Sequence, residues 1–223
     1  MYNRKDLLGL RDLSADEIMT ILNTAKEMKA KIDNPSLRDD SLSKSSIVTL
    51  FYENSTRTKM SFMLAGDYQG AIVKDLGVAT SSVSKGESLV DTGVTLDQMG
   101  INIMIIRHQM TGAAHLLAKN VKASVVNAGD GSNEHPTQAL LDLFTIMEKK
   151  GSFEGLKVVI LGDISHSRVA RSNAFGLTKL GAKVTLAGPS TLVSNSMKSL
   201  GVEVETDIPK AIKDADVVMG LRI

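Results

Sequence analysis

The sequence predicts an α/β protein in which parallel sheets are covered by helices. Short apolar runs with strand character alternate along the chain with longer segments that repeat apolar residues at helical spacing. Strands that alternate with helices favour parallel sheets, because each crossover helix returns the chain to the next strand in the same direction. With 223 residues, 43% of them hydrophobic and only 4% aromatic, the chain can form a large aliphatic core in one or two domains.

The first 150 residues are predicted to form one domain. Ser14 and Glu17 are spaced as a capping box and start a helix whose apolar face we predict to be Ile18, Ile21, Leu22, Ala25 and Met28. Strands are predicted at about 47–52, 71–76, 101–106 and 123–127. Pro136 suits the first position of a helix through Lys150, with a predicted apolar face of Leu140, Leu141, Phe144 and Met147.

A second domain, 151–223, is predicted after the break at Gly151–Gly155. Its predicted strands are 156–161, 183–187 and 202–205, with helices at about 168–180 and 209–213. Residues 216–223 predict a buried strand with no helix after it to cover the sheet. We therefore expect two doubly wound parallel-sheet domains, the second incomplete.

Composition excludes several classes of function. The formal net charge of +1 supplies no broad basic field for nucleic acid or an anionic membrane, so small polar ligands are the expected partners. There is no cysteine, which excludes disulfides, thiolate metal sites and a cysteine nucleophile. The histidines share no metal-ligand spacing, and we expect no metal. Residues 1–13 do not resemble a signal peptide and no run reaches membrane-spanning length, so we expect a soluble cytoplasmic protein.

The segment Phe51–Phe62 is the most informative motif. It joins a β-rich run to Ser55-Thr56-Arg57-Thr58 and then to a helix over about 56–69, on which Met60, Met63, Leu64 and Tyr68 have helical spacing. Ser55 stands at the N-cap position, where backbone N–H groups and the helix dipole favour an anion, and Arg57 adds a fork suited to phosphate. The motif predicts a phosphorylated small substrate; the alternative is a plain cap beside a solvated arginine.

Other polar groups follow predicted strands, where open α/β sheets bind ligands. Arg107 and His108 end one strand, and Asn127–Gly131 ends another just before His135-Pro136-Thr137-Gln138. His135 alone would more often be a structural hydrogen-bonding residue than a catalyst. The loop 77–86 offers hydroxyls and an ammonium for ligand binding, although an ordinary solvated loop would have the same composition. The turn at Gly162–Ser172 lacks the dinucleotide fingerprint, and the sequence contains no P-loop.

Four of these motifs, in this order, resemble the aspartate carbamoyltransferase branch of the aspartate/ornithine carbamoyltransferase family. They are Phe51–Phe62, the pair Arg107-His108, Asn127–Gln138 and Gly162–Ser172. The resemblance extends from about Leu8 to Ile223, and the family continues through a C-terminal segment, so we expect a C-terminally truncated sequence. It implies transfer of the carbamoyl group of carbamoyl phosphate to the α-amino group of L-aspartate, an early step of pyrimidine biosynthesis. No cofactor is required. Whether a fragment of this extent is active alone, and whether regulatory chains attach, stays open.

The resemblance also implies the role of each site residue. Phosphate is bound by Ser55, Thr56, Arg57 and Thr58, while the carbamoyl oxygen is contacted by Thr58, Arg107 and His135. Gln138 holds the carbamoyl amide, and the carboxylates of aspartate are bound by Arg168, Arg222 and Lys85. Ser81 and Lys85 reach the site of the adjacent subunit, which implies a homotrimer.

One departure from the family and two alternatives remain. Lys59 stands where an arginine commonly follows the Ser-Thr-Arg-Thr motif, a change that we expect to be mild. Ornithine or another amine is the alternative acceptor, because the phosphate motif is shared by that sister family. A carbamoyl phosphate-binding module without catalysis is the alternative from another class of function.

Overall fold

The structure, a computed structural model, describes residues 2–78 and 82–221. It separates into two compact units. Tyr2–Leu8 and Thr24–Asn133 form the N-terminal unit, and residues 9–23 and 134–221 form the C-terminal unit. The helix α1 (Ala15–Asp33) is shared between them. Contacts thus group the chain differently from the predicted domains, and the boundary near residue 150 stays a prediction.

The N-terminal unit contains a parallel sheet of four described strands in the order β2-β1-β3-β4. These strands are β1 (Ser46–Phe51), β2 (Ile72–Leu76), β3 (Ile103–His108) and β4 (Ser124–Asp130). The helices that connect them are α2 (Thr56–Asp67), α3 (Leu89–Gln98) and α4 (Ala113–Asn120). Short 3-10 turns lie at Pro35–Leu37 and Ser82–Lys85.

The core of this unit lies on its central strands. Leu50 of β1, Met104 of β3 and Val125 of β4 are fully buried and pack with Leu117 of α4. A parallel strand that is covered on both faces has to be apolar nearly throughout, which explains the run Ile-Val-Thr-Leu-Phe in β1. Thr49 is the polar exception in that run, and its hydroxyl is satisfied by Asp75 of β2 at 2.6 Å.

The C-terminal unit contains a second parallel sheet, of four described strands in the order β7-β6-β5-β8. Its strands are β5 (Lys157–Leu161), β6 (Lys183–Ala187), β7 (Glu203–Glu205) and β8 (Val217–Gly220). Its helices are α5 (Pro136–Lys150), α6 (Arg168–Lys179) and the short α7 (Ile208–Ile212), with a 3-10 turn at Asn195–Leu200. Gly176 lets α6 approach α5, because a Cβ there would lie 2.8 Å from Leu143 Cδ1.

The predicted α/β class with parallel sheets is confirmed. Strand and helix positions agree with the prediction to within a few residues, and α5 has the predicted bounds. The capping box of α1 also forms, since the Glu17 N–H donates to Ser14 Oγ at 3.1 Å and the Ser14 N–H donates to Glu17 Oε2 at 2.8 Å.

Two predictions about buried residues are wrong. Leu141 of α5 is 59% exposed, because Leu143 and Ile146, rather than Leu141, share the buried face with Leu140. Val218 is 52% exposed, because the side chains of β8 alternate between a partly buried face and an exposed face. The helical spacing noted on α2 does not identify its buried residue, since Met60 and Leu64 are exposed and Gly66 is buried.

Candidate active site

The start of α2 presents backbone donors that its own N-cap residue does not satisfy. Ser55 is the N-cap, with extended backbone, but its side chain makes no capping hydrogen bond. The Lys59 N–H makes the first helical bond, to the Ser55 carbonyl at 3.0 Å. The N–H groups of the three preceding residues therefore lie in the first turn, where a helix provides no carbonyl partner, and Thr56 and Arg57 are exposed. A helix start with free first-turn donors of this kind is typical of anion sites.

Arg107 lies on the neighbouring strand, directly beside the end of β1. Its register partner is Phe51, after which the chain turns toward Ser55. The guanidinium is held from two sides: its Nε lies 3.2 Å from Glu53 Oε2, and its Nη1 donates to the Ala128 carbonyl at 3.2 Å. A mostly buried guanidinium held in this way can contact a ligand oxygen without a large loss of side-chain freedom.

His108, the neighbour of Arg107, has a structural arrangement. The side chain is buried, and its Nδ1 accepts the N–H of Met110 at 2.9 Å, which places the proton of the neutral ring on Nε2. The ring packs against Tyr52 with centroids 4.5 Å apart. Burial lowers the pKa of His108 below 6.5, and the negative charges of Glu53 and Asp130 oppose that change.

The polar residues after β4 hold the backbone of their own loop. Asn127 is fully buried and donates to the Leu8 carbonyl at 2.9 Å and to Asp130 Oδ1 at 2.7 Å. Asp130 also accepts the Gly112 N–H at 2.8 Å. These side chains lie at the expected edge of the sheet, but their hydrogen bonds are directed at the protein.

In the C-terminal unit, a buried carboxylate supports the start of α5. His135 is the N-cap residue, and its N–H donates to the Ser172 hydroxyl at 2.9 Å. That hydroxyl donates in turn to Glu134 Oε2 at 2.9 Å. Glu134 also accepts the N–H groups of Leu10 and Arg11, at 2.7 and 3.3 Å. The backbone of His135 is thereby fixed by α6 and by the segment before α1.

A second network supports Gln138, one turn into α5. The Gln138 amide nitrogen donates to Asp142 Oδ1 at 2.9 Å, and the Asn173 amide nitrogen donates to Asp142 Oδ2 at 2.8 Å. Burial raises the pKa of Asp142 above 3.8, while the hydrogen bonds from Asn173 and Gln138 oppose the rise.

Arg168, which is half-buried, is the first residue of α6. Ser167 caps that helix by accepting the Ala170 N–H.

Lys59, the departure from the family pattern, is directed away from the helix start. Its Nζ lies 2.9 Å from Asp75 Oδ2 on β2 and 5.7 Å from the centre of the Phe51 ring. The ammonium therefore joins α2 to the sheet.

Some predicted positions lie outside the described residues, namely Ser81 and Arg222. Lys85 is described and exposed, at the end of a 3-10 turn.

Among residues 2–78 and 82–221, no cluster of three or more histidine, cysteine or acidic side chains could hold a metal ion. In the same part of the chain, no helix combines the length and apolar character needed to span a bilayer.

Sequence reasoning missed Glu134, Asp142, Ser172 and Asn173. Asp142 offered a weak signal, since a carboxyl four residues after Gln138 shares its helix face. The partners of Glu134 are 38 and 124 positions away, which no local pattern reveals.

Comparison with known proteins decides the family. The profile of the aspartate/ornithine carbamoyltransferase family, carbamoyl-P binding domain, matches residues 5–148. The aspartate carbamoyltransferase catalytic subunit of Acetivibrio thermocellus is 63% identical over 219 residues, which are 98% of this chain and 70% of that protein. The chain belongs to the aspartate/ornithine carbamoyltransferase family. The catalytic subunit of Desulforamulus reducens is a further relative, 56% identical over 100% of this chain and 71% of its own length.

Solved structures agree with the family assignment. The aspartate transcarbamoylase of Trypanosoma cruzi in complex with carbamoyl phosphate has a TM-score of 0.90 at 29% identity, covering all of this chain and 72% of that one. The same enzyme in complex with carbamoyl phosphate and aspartate also has a TM-score of 0.90, with 78% of its chain covered. This carbamoyltransferase chain therefore has the fold of its family over its whole described length.

Proposed function

We propose that the chain transfers the carbamoyl group of carbamoyl phosphate to L-aspartate, giving N-carbamoyl-L-aspartate and phosphate. The observation that carries the proposal is the start of α2, where Ser55 leaves the first-turn N–H groups without a side-chain cap and Arg57 is exposed beside them. A phosphate group satisfies such donors and gains from the helix dipole. Names of relatives at 53–63% identity support aspartate as the acceptor.

The reaction needs orientation and charge stabilisation rather than a cofactor. The uncharged amine of aspartate attacks the carbamoyl carbon, so negative charge develops on the carbamoyl oxygen and phosphate departs with the bonding electrons. We assign phosphate to Ser55, Thr56, Arg57 and Thr58. The carbamoyl oxygen is assigned to Thr58 and Arg107 and, in the C-terminal unit, to His135. A guanidinium donor that is fixed before reaction, as that of Arg107 is, stabilises such an oxygen without reorganising.

Three further assignments rest on the family resemblance. Gln138 takes the carbamoyl amide, and Arg168, Arg222 and Lys85 bind the carboxylates of aspartate, for which guanidinium forks are well shaped. Ser81 and Lys85 are assigned to the site of an adjacent subunit, which makes a homotrimer the expected active unit. The exposed position of Lys85 suits that assignment.

The wider setting is also proposed. Formation of carbamoylaspartate places the chain in pyrimidine biosynthesis. We also propose a cytoplasmic location, which agrees with a doubly charged acyl phosphate substrate that does not cross a membrane unaided. We propose a carbamoyl phosphate-binding domain up to about residue 150 and an aspartate-binding domain after it, and the carbamoyl-P binding profile over 5–148 supports this boundary.

The decisive experiment is calorimetric titration of carbamoyl phosphate into the protein and into Arg57→Ala. Loss of a charged phosphate contact costs roughly 2–5 kcal/mol, so we expect binding to disappear. Arg38→Ala is the matched control: it removes the same charge, from a guanidinium that stacks on Tyr68 at 3.8 Å, and binding should persist. Equal affinity in wild type and Arg57→Ala would refute the phosphate assignment. Product analysis with aspartate and ornithine then identifies the acceptor.

A further inference from the structure

The amide of Gln138 is the end of a chain of hydrogen bonds whose direction is fixed by a backbone carbonyl. Asn173, which is fully buried, donates through its amide nitrogen to the Val169 carbonyl at 3.1 Å as well as to Asp142 Oδ2 at 2.8 Å. A carbonyl can only accept, so the Asn173 amide has to turn its nitrogen toward Val169. The same nitrogen then supplies the hydrogen for Asp142.

Asp142 in turn determines which atom of the Gln138 amide faces it. Both of its oxygens accept an amide N–H, as a carboxylate does. Facing an acceptor, Gln138 has to present its nitrogen to Asp142 at 2.9 Å. The carbonyl oxygen of Gln138 is left pointing away from this bond, and within the described part of the chain it receives no hydrogen bond.

We propose that Asp142 is a positioning residue that makes Gln138 offer a hydrogen-bond acceptor to the amino group of carbamoyl phosphate. The inference rests on the proposed function, because it takes Gln138 as the residue that contacts the carbamoyl amide. The amino group of that ligand only donates, so an acceptor recognises it and an amide nitrogen in the same place repels it. Asp142 thereby determines specificity without touching the ligand.

The test compares carbamoyl phosphate with acetyl phosphate, in which a methyl group replaces the amino group while the charge and size are kept. We define the selectivity ratio as the Kd of acetyl phosphate divided by the Kd of carbamoyl phosphate. Wild type should give a ratio of about ten, the value of roughly one well-made hydrogen bond. Asp142→Asn should bring the ratio to one or below, because the amide oxygen at 142 has to accept from Asn173. The amide nitrogen at 142 then faces Gln138, and the Gln138 nitrogen turns toward the ligand.

This ratio separates positioning from a purely structural role. Both ligands make the same phosphate contacts, so a loosened fold or a damaged phosphate site weakens both and leaves the ratio unchanged. Asp33→Asn, at an exposed carboxyl on α1, controls for the loss of one charge and should keep the wild-type ratio. Asp142→Ala, which brings no second amide against Asn173, is the second variant should Asp142→Asn not fold, and its ratio should fall likewise.

Exchange of the two groups provides a rescue. In the double variant Gln138→Glu, Asp142→Asn, the carboxylate at 138 can only accept, so the wild-type ratio should return even if both affinities fall. An unchanged ratio in Asp142→Asn and Asp142→Ala, or a ratio near one in the exchanged pair, overturns the proposal.

The wild-type titrations distinguish failure of this inference from failure of the proposed function. Equal affinity for both acyl phosphates, each tighter than inorganic phosphate, would show that Gln138 does not recognise the amino group, although the acyl phosphate site stands. Absence of binding of all three ligands to wild type would overturn the proposed function, and the inference with it.

Discussion

The Ser172 hydroxyl accepts the backbone N–H of His135 at 2.9 Å, although the two residues are 37 positions apart. Both groups are buried, and the hydroxyl donates its own hydrogen bond to Glu134 Oε2. The start of α5 is therefore fixed by a side chain of α6. Removal of that hydroxyl leaves a buried donor and a buried carboxylate each short of one partner.

Ser172→Ala should accordingly lower the free energy of unfolding by about 1–3 kcal/mol, the cost of unsatisfied buried groups. Urea denaturation followed by circular dichroism measures it. Ser199→Ala removes an exposed hydroxyl that bonds the Ser196 carbonyl, and should change stability by less than about 0.5 kcal/mol. Equal stability of the two variants would contradict the account.

Gly9→Ala should be destabilising because the new methyl group meets Glu134. A Cβ at Gly9 would lie 2.2 Å from Glu134 Oε1, and that carboxylate cannot withdraw without losing the N–H groups of Leu10 and Arg11. We expect a loss of about 1–3 kcal/mol in unfolding free energy. Gly220→Ala, where a Cβ meets nothing within 4 Å, is the control, and a similar melting temperature for both variants would argue against this packing.

Asp75 should make stability depend on pH in the acid range. Burial works to raise its pKa, but hydrogen bonds from Thr49 and Lys59 outweigh burial and hold the pKa below 3.8. A lowered pKa means that the folded state favours the carboxylate, so this stabilisation is present above pH 3.8 and disappears as the pH falls through the lowered value.

The difference in unfolding free energy between wild type and Asp75→Asn should therefore be largest near pH 7 and vanish in strong acid. We expect it to stay below about 1 kcal/mol, because the pair is partly exposed. Urea unfolding at a series of pH values measures it, with Asp67→Asn, at an exposed carboxyl of α2, as the control. A difference that grows toward low pH would have the wrong sign.

Glu53→Gln should lower the pKa of His108 further. Burial already lowers that pKa, and the negative charge of Glu53 is the first of the two that oppose it. Removing the charge disfavours the imidazolium form, so the neutral ring persists to lower pH. Titration of the His108 Hε1 resonance by NMR measures the change. Glu27→Gln, at an exposed carboxyl of α1, should leave the resonance unaffected, and a rise in the His108 pKa would refute the argument.

The sequence predicted elements well where local chemistry marks them. Pro136 begins α5 and Gly151, with φ of 78°, ends it, so that both ends of the helix are fixed by backbone preference. Ser55 was likewise placed at the N-cap of α2. The exposed Leu141 was not predictable, because a helix with apolar residues on more than one side does not reveal which side packs.

Prediction from the sequence stopped at the residues that are proposed to contact the ligand. Ser-Thr-Arg-Thr and His-Pro-Thr-Gln are short local patterns, and both were found. The carboxyl groups behind them, Glu134 and Asp142, are recognised only through hydrogen-bond partners on another helix, such as Ser172 and Asn173. From the sequence alone, such a carboxyl group cannot be told from an ordinary acidic residue, because its hydrogen-bond donors come from residues that only the tertiary structure brings close.

Under the proposed phosphate assignment, the first turn of α2, which has no side-chain cap, couples ligand binding to the stability of this helix. A serine that capped its own helix would stabilise that turn permanently, whereas Ser55 leaves the turn to be completed from outside. A ligand at one hundred times its dissociation constant adds about 2.7 kcal/mol to the stability of the state that binds it. If phosphate binds there as proposed, local order at residues 56–58 should rise with the concentration of carbamoyl phosphate, and amide hydrogen exchange of this segment should be slowest when that ligand is saturating.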